Sequence, residues 1–242
     1  MAKTILIVEG ESDKYIFEAI LRFIQKQDDI EVVPDNVQEI EFILKADESD
    51  PLNPTALIKA LDNLTSEFSK ENITRVGIVR DMDLNTLDNR ILLVNNAIKG
   101  AYEITSGEIK TVNELTPFEL IDKVTGREYT INFACHFVNL NGSGEIEDIL
   151  KAIKAKESPI ADCVDEHLPV CLKITEKELT QKQLVKLWLN NYLRYDTLPA
   201  NKGDGKNTSM KSVMEKRTDL FKFEEDIKEL NELKTFLKMM SE

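Results

Sequence analysis

Residues 5–13 read Ile5-Leu6-Ile7-Val8-Glu9-Gly10-Glu11-Ser12-Asp13, four aliphatic residues running straight into three acids. An unbroken aliphatic run predicts a parallel strand covered on both faces, because a strand with one wet face alternates apolar with polar. Val76-Gly77-Ile78-Val79, leading into Asp81-Met82-Asp83, repeats the pattern. Side chains at the carboxyl ends of such strands line the ligand crevice of an open parallel sheet. Acids gathered there call for a cation. If the extended conformation persists to Asp83, the carboxylates of Asp81 and Asp83 point the same way, and their repulsion either raises one pKa or recruits a compensating cation.

Working outward, Ser12 can cap a helix that carries Ile16, Phe17, Ile20, Leu21 and Ile24 at helical spacing. Glu39 to Leu44 reads as a second strand, and Asp47 to Thr55, with Pro51 and Pro54, as a loop ending in a helix capped by Asn53 or Thr55. That helix places Leu57, Ile58, Leu61, Leu64 and Phe68 on one face, and Thr86 to Lys99 reads as another. The next strand, within Tyr129 to Leu140, runs into Asn141-Gly142-Ser143-Gly144, after which a helix carries Glu147 and Asp148 in its first turn. A third acidic group thus follows a third strand. The alternation predicts an α/β fold with a mainly parallel sheet flanked by helices and right-handed crossovers.

Beyond Lys151 the pattern turns to amphipathic helices over 160–172, 180–195 and 223–240. The break at Ser158-Pro159 suggests an α/β domain over 1–158 and a helical extension over 159–242 packed on the same core. With 242 residues and 42% hydrophobic content the chain can bury a substantial core. No apolar stretch is long enough to span a bilayer, so a soluble, cytoplasmic protein without membrane contact is expected. Cys135, Cys163 and Cys171 lack metal-site spacing, His136 and His167 do not supply it, and all three thiols are expected as small buried apolar side chains.

The net charge of −13 argues against a broad nucleic-acid surface, so any polynucleotide contact must be local or metal-bridged. The one basic stretch, Asn201 to Arg217, reads either as a solvated loop or as a phosphate contact. Within it Gly203-Asp204-Gly205-Lys206-Asn207-Thr208 lacks the first glycine of a phosphate-binding loop and has Asn where Ser or Thr should follow Lys, which excludes ATP hydrolysis there.

Taken in chain order, the segment Ile5 to Asp13 resembles the Glu-Gly motif of the Toprim fold of topoisomerases and primases, and Asp81-Met82-Asp83 resembles its Asp-x-Asp motif. Gly142 to Leu150 is similar to a Gly-x-(Leu/Ile)-Glu-Asp segment of uncharacterised Toprim-like proteins related to OLD-family nucleases and ribosomal-RNA maturases, and the region with Lys182, Trp188 and Leu189 is similar to their tail. The resemblance implies a Toprim-like, Rossmann-like sheet. It also implies that Glu9 acts as general acid or base and metal ligand, that Asp81 and Asp83 hold Mg²⁺ or Mn²⁺, and that Asp13 and Glu147 complete one or two metal sites. Asp148 and Lys182 would stand behind the metal or touch phosphate. No ATPase module, topoisomerase tyrosine context or primase zinc module accompanies these motifs.

The chemistry implied is metal-dependent hydrolysis of a phosphodiester in nucleic acid or another phosphoester, with oxygen ligands suited to a hard cation. A second reading is a non-catalytic metal- or nucleotide-binding module acting with a partner protein. A third takes Val79 to Asn85 as the first motif of a haloacid-dehalogenase-type phosphatase, with Asp81 as nucleophile, and leaves Glu9 unexplained. Residue by residue, plainer roles exist: Asp81 and Asp83 as strand-end acids, Glu147 and Asp148 as helix-start acids, Lys182 as a solvated lysine, Trp188 as core.

Overall fold

The computed structural model describes residues 3–34, 54–142, 144–174, 179–197 and 209–242. Six strands form one sheet: β1 (Lys3–Val8), β2 (Ile30–Pro34), β3 (Ile73–Asp81), β4 (Tyr102–Ser106), β5 (Thr116–Asp122) and β6 (Glu128–Val138), in the order β2-β1-β3-β6-β5-β4. β2, β1, β3 and β6 are parallel, and β5 runs antiparallel to both β6 and β4. The fold is therefore α/β with a mixed, mostly parallel sheet.

The aliphatic runs sit where two-faced burial requires them. Along β1, Leu6 and Val8 enter one apolar cluster and Ile5 and Ile7 the other, so each face of the strand is covered. Helices α2 (Thr55–Glu71) and α3 (Leu87–Ala101) supply the second cluster, through Leu57, Leu61, Leu93 and Ile98 among others. The first cluster draws on α1 (Glu11–Phe23), α4 (Ile146–Ala152), α6 (Gln181–Asn191), α7 (Met210–Lys216) and α8 (Lys228–Ser241). Trp188, Leu233 and Phe236 thus share a core with β1 and β6, and Trp188 is fully buried as expected. Gly77 in β3 admits α8 to the sheet: a Cβ there would lie 2.9 Å from Leu6 Cδ1 and 3.2 Å from Met240 Cε.

Several expectations need correction. The strand beside β1 is Ile30–Pro34; the one expected at Glu39 to Leu44 lies outside the described residues, as does the loop at 203–208. The α1 cap position falls on Gly10, with Ser12 already inside the helix, and α2 starts at Thr55 behind Pro54. The last helix begins at Lys228, five residues later than its periodicity suggested. β3 ends at Asp81, and Asp83 turns to φ 49°, so the extended backbone does not reach it. Cys135 is buried, but Cys163 and Cys171 are exposed on α5 (Pro159–Ile174), a helix that buries little besides Ala161. Among the described residues no helix is long and apolar enough to cross a membrane.

Candidate metal centre

The acids converge at the carboxyl ends of β1, β3 and β6. Glu9 follows β1 directly and accepts the backbone N–H of Asp81 through Oε2 at 3.3 Å, while Arg80 Nη2 lies 3.6 Å from its other oxygen. Asp13 stands in the first turn of α1, where a carboxylate meets the positive end of the helix. Asp81 closes β3 and is 6% exposed, its Oδ1 accepting the Ile146 N–H at 3.1 Å. That bond ties the end of β3 to the start of α4.

Asp83 reaches the site through a turn and a cross-loop bridge, not through strand alternation. Its left-handed backbone, a conformation Asp tolerates better than most residues, pairs with Gly144: Asp83 N–H donates to Gly144 O at 3.1 Å and Gly144 N–H to Asp83 O at 3.3 Å. The bridge brings the two loops together and sets Glu145 opposite Asp83. One carboxylate oxygen from each of Asp81, Asp83 and Glu145 lies within 4.8 Å of the other two, a spacing that could hold a metal ion.

Glu145, and not its expected neighbours Glu147 and Asp148, completes this triad. It occupies the cap position of α4 and is 2% exposed, whereas Asp148, three residues on, turns back so that Oδ2 accepts the Glu145 N–H at 2.9 Å. Asp148 therefore serves the cap. The signal available was the glycine at 144, a positive-φ turn whose backbone pairs with Asp83 and which Glu145 follows directly.

Glu147, 8% exposed, faces the same cleft from the first turn of α4, and its buried Oε2 has no hydrogen-bond partner among the described residues. A cleft of about 630 Å³ is lined by Glu9, Asp13, Asp81, Glu147, Lys182 and Lys186, among others. Thus Glu9, Asp13, Asp81 and Glu147 share one cleft, and Asp81 links it to the triad with Asp83 and Glu145.

Lys182 and Lys186 come from α6, which Thr180 opens with a reciprocal cap: its Oγ1 accepts Gln183 N–H and its N–H donates to Gln183 Oε1. One turn apart, the lysines share a face of α6, while Val185, Trp188 and Leu189 anchor the helix in the core. Lys182 Nζ lies 2.8 Å from Glu145 Oε1 and 3.3 Å from Asp83 Oδ1. Lys186 Nζ lies 3.3 Å from Glu145 Oε2 and 3.7 Å from Glu147 Oε1. Lys186 is a further residue the sequence did not single out. Its spacing of four from Lys182 was the available sign.

Crowding shows in the protonation equilibria. Burial pushes the Asp81 carboxyl well above the usual carboxylate range, and Glu9, Asp13, Glu147 and Glu145 push the same way. Asp13 rises to about 7 through burial and then the charges of Glu147 and Glu9. Burial also raises Glu147, against the opposing pull of Lys186. For Lys182, burial acts downward but is outweighed by Glu145, Glu9 and Asp83, which hold the ammonium protonated. His136 is buried away from these acids, stacked on Phe236 and bonded to Asn113, with burial lowering it to about 4.

The donor set is all oxygen, of the kind that suits a hard divalent cation. The unpartnered Glu147 oxygen and the protons that burial favours on Asp81 and Asp13 mark a site short of positive charge. No curated protein and no solved structure matches the chain. One family model does, over residues 3–241, and the chain belongs to that family: Protein of unknown function (DUF3226).

Proposed function

We propose that this DUF3226 chain hydrolyses phosphodiesters, or transfers phosphoryl groups, on nucleic acid with the help of Mg²⁺ or Mn²⁺. One observation carries the reading. Acids from three distant segments, Glu9 with Asp13, Asp81 with Asp83, and Glu145 with Glu147, meet at one rim of the sheet. The Toprim resemblance of the same segments supports it, as does their order in the chain.

Asp81, Asp83 and Glu145 would hold one ion, and Asp13, Glu9 and Glu147, sharing Asp81, would serve a second. Bound there, such ions would activate water and neutralise charge on the phosphoryl oxygens. The chain's own part is positional and protolytic. Glu9, placed beside Asp81 by a backbone hydrogen bond, is the residue set to take or give the proton. Lys182 and Lys186 line the cleft wall where a phosphate would approach.

Cleavage of single- and double-stranded DNA and RNA, with and without Mg²⁺ or Mn²⁺, tests the reading against Asp81→Ala and Glu9→Gln. Metal-dependent cleavage abolished by both substitutions is the expected result; cleavage untouched by Asp81→Ala would remove the site. Metal binding without cleavage of any substrate would instead assign a binding module acting with a partner protein, a reading that the net charge of −13 favours.

A further inference from the structure

The oxygens best placed for a cation are already in contact with one. Lys182 Nζ stands 2.8 Å from Glu145 and 3.3 Å from Asp83, two of the three acids of the triad. Lys186 backs it at 3.3 Å from the second Glu145 oxygen. A buried carboxylate without compensation is costly, so these ammonium groups stabilise Glu145 in the chain alone.

The two sides of this contact differ in freedom. The Glu145 side chain is 3% exposed, and Asp83 is fixed by its backbone bridge to Gly144 and by Arg90. Burial holds Glu145 and the Arg90 ion pair holds Asp83, so both acids have less freedom than the lysines. The lysine side chains are 42% and 44% exposed on four-carbon stems, so an ammonium can leave by rotation alone. A divalent ion and an ammonium cannot share the same two oxygens at contact distance without strong repulsion.

Resting on the reading that the triad takes a divalent cation, we propose that Lys182 is the triad's built-in counter-ion, and that an entering ion evicts its ammonium from Glu145 and Asp83 into the cleft. Cation affinity in the resting chain is thereby held down. The Lys182 ammonium is released from the triad into the cleft only after the ion has bound, so an incoming phosphate group meets the ion and the released lysine together. By linkage, an anion that captures the displaced lysine tightens the ion in turn.

Two measurements on the full chain test this. Mn²⁺ affinity is measured for the native chain, Lys182→Met and Lys182→Arg, and acetylation of individual lysines by acetic anhydride is followed on the native chain with and without saturating Mg²⁺. Lys182→Met is expected to bind Mn²⁺ roughly 5- to 150-fold more tightly, the usual span of coupled equilibria, and Lys182→Arg no more tightly than native. Mg²⁺ is expected to speed acetylation of Lys182 but not of the already exposed Lys228. Should Lys182→Met fail to fold, labelling of the native chain decides alone. Ion binding with unchanged or slower acetylation of Lys182, or no gain in affinity in a folded Lys182→Met, overturns this proposal while leaving the metal site standing; no ion binding by any variant overturns both.

Discussion

Arg90 holds Asp83 from behind the cleft: its Nη2 donates to Asp83 Oδ2 and its Nε donates to Met82 O at 3.3 Å, with the side chain 1% exposed. A buried guanidinium with two acceptors in one loop fixes that loop's geometry. It also gives Asp83 a permanent positive neighbour, which leaves its other oxygen, the one near Lys182, to face the triad.

Arg90→Met should therefore cost stability and metal together. Removing one partner of a buried ion pair leaves the other uncompensated, at about 3 kcal/mol. Urea unfolding should show that loss, and Mn²⁺ affinity should fall because Asp83 is no longer held against Asp81 and Glu145. Unchanged affinity in a folded Arg90→Met protein would show that Asp83 takes no part in the site.

Gly144→Ala should act on both ends of the same bridge. Gly144 has φ 94°, where an L side chain is strained, and a Cβ would run into the Asp148 carboxyl that caps α4. Strain of this kind costs about 1–3 kcal/mol. Since Gly144 exchanges both backbone hydrogen bonds with Asp83, the misplacement reaches Asp83 and Glu145 at once. Thermal unfolding and Mn²⁺ titration should both worsen, whereas Gly142→Ala, with φ 90° but open space around the Cβ, should affect stability alone.

What could be read from the sequence divides along a physical line. Burial on two faces leaves unbroken aliphatic runs, so β1, β3 and β6 and the acids following them were legible from Ile5, Val76 and Ile131 onward. The antiparallel strands β4 and β5 left no such run: Phe118 and Leu120 are buried but Glu119 between them is exposed, and the pattern is short. Asp83 and Glu145 were harder still, because a left-handed turn and a cross-loop bridge place them, and neither follows from periodicity. Nor does helix spacing alone disclose that the shared face of Lys182 and Lys186 meets Glu145 across the fold.

The protonation of Asp13 gives a pH dependence with a definite sign. Its pKa rises from 3.8 to about 7 on folding, through burial and the charges of Glu147 and Glu9. Between those values the native chain binds more protons than the unfolded one, so this group lowers stability as pH climbs from about 4 to 7. An ion bound at Asp13 and Asp81 would have to displace the same protons. The rise in melting temperature on adding Mg²⁺ should accordingly be larger at pH 8 than at pH 5; an equal rise at both would place the ion away from Asp13 and Asp81.

Glu147→Gln should separate stability from function. The native carboxylate is 8% exposed, has one oxygen without a hydrogen-bond partner among the described residues, and has its pKa raised by burial. An amide of the same shape removes the charge that burial disfavours, and Lys186 keeps Glu145 as its nearer partner at 3.3 Å. Without added metal the variant should be more stable by about 1 kcal/mol, within the usual gain when a strained functional site is relaxed. If Glu147 is a ligand, the advantage should vanish with metal, because the ion would then stabilise the native cleft more than that of the variant. Chemical denaturation of both proteins, with Mg²⁺ and with chelator, gives the four stabilities needed, and a variant that retained the full Mg²⁺-dependent gain would leave Glu147 as a helix-start acid and nothing more.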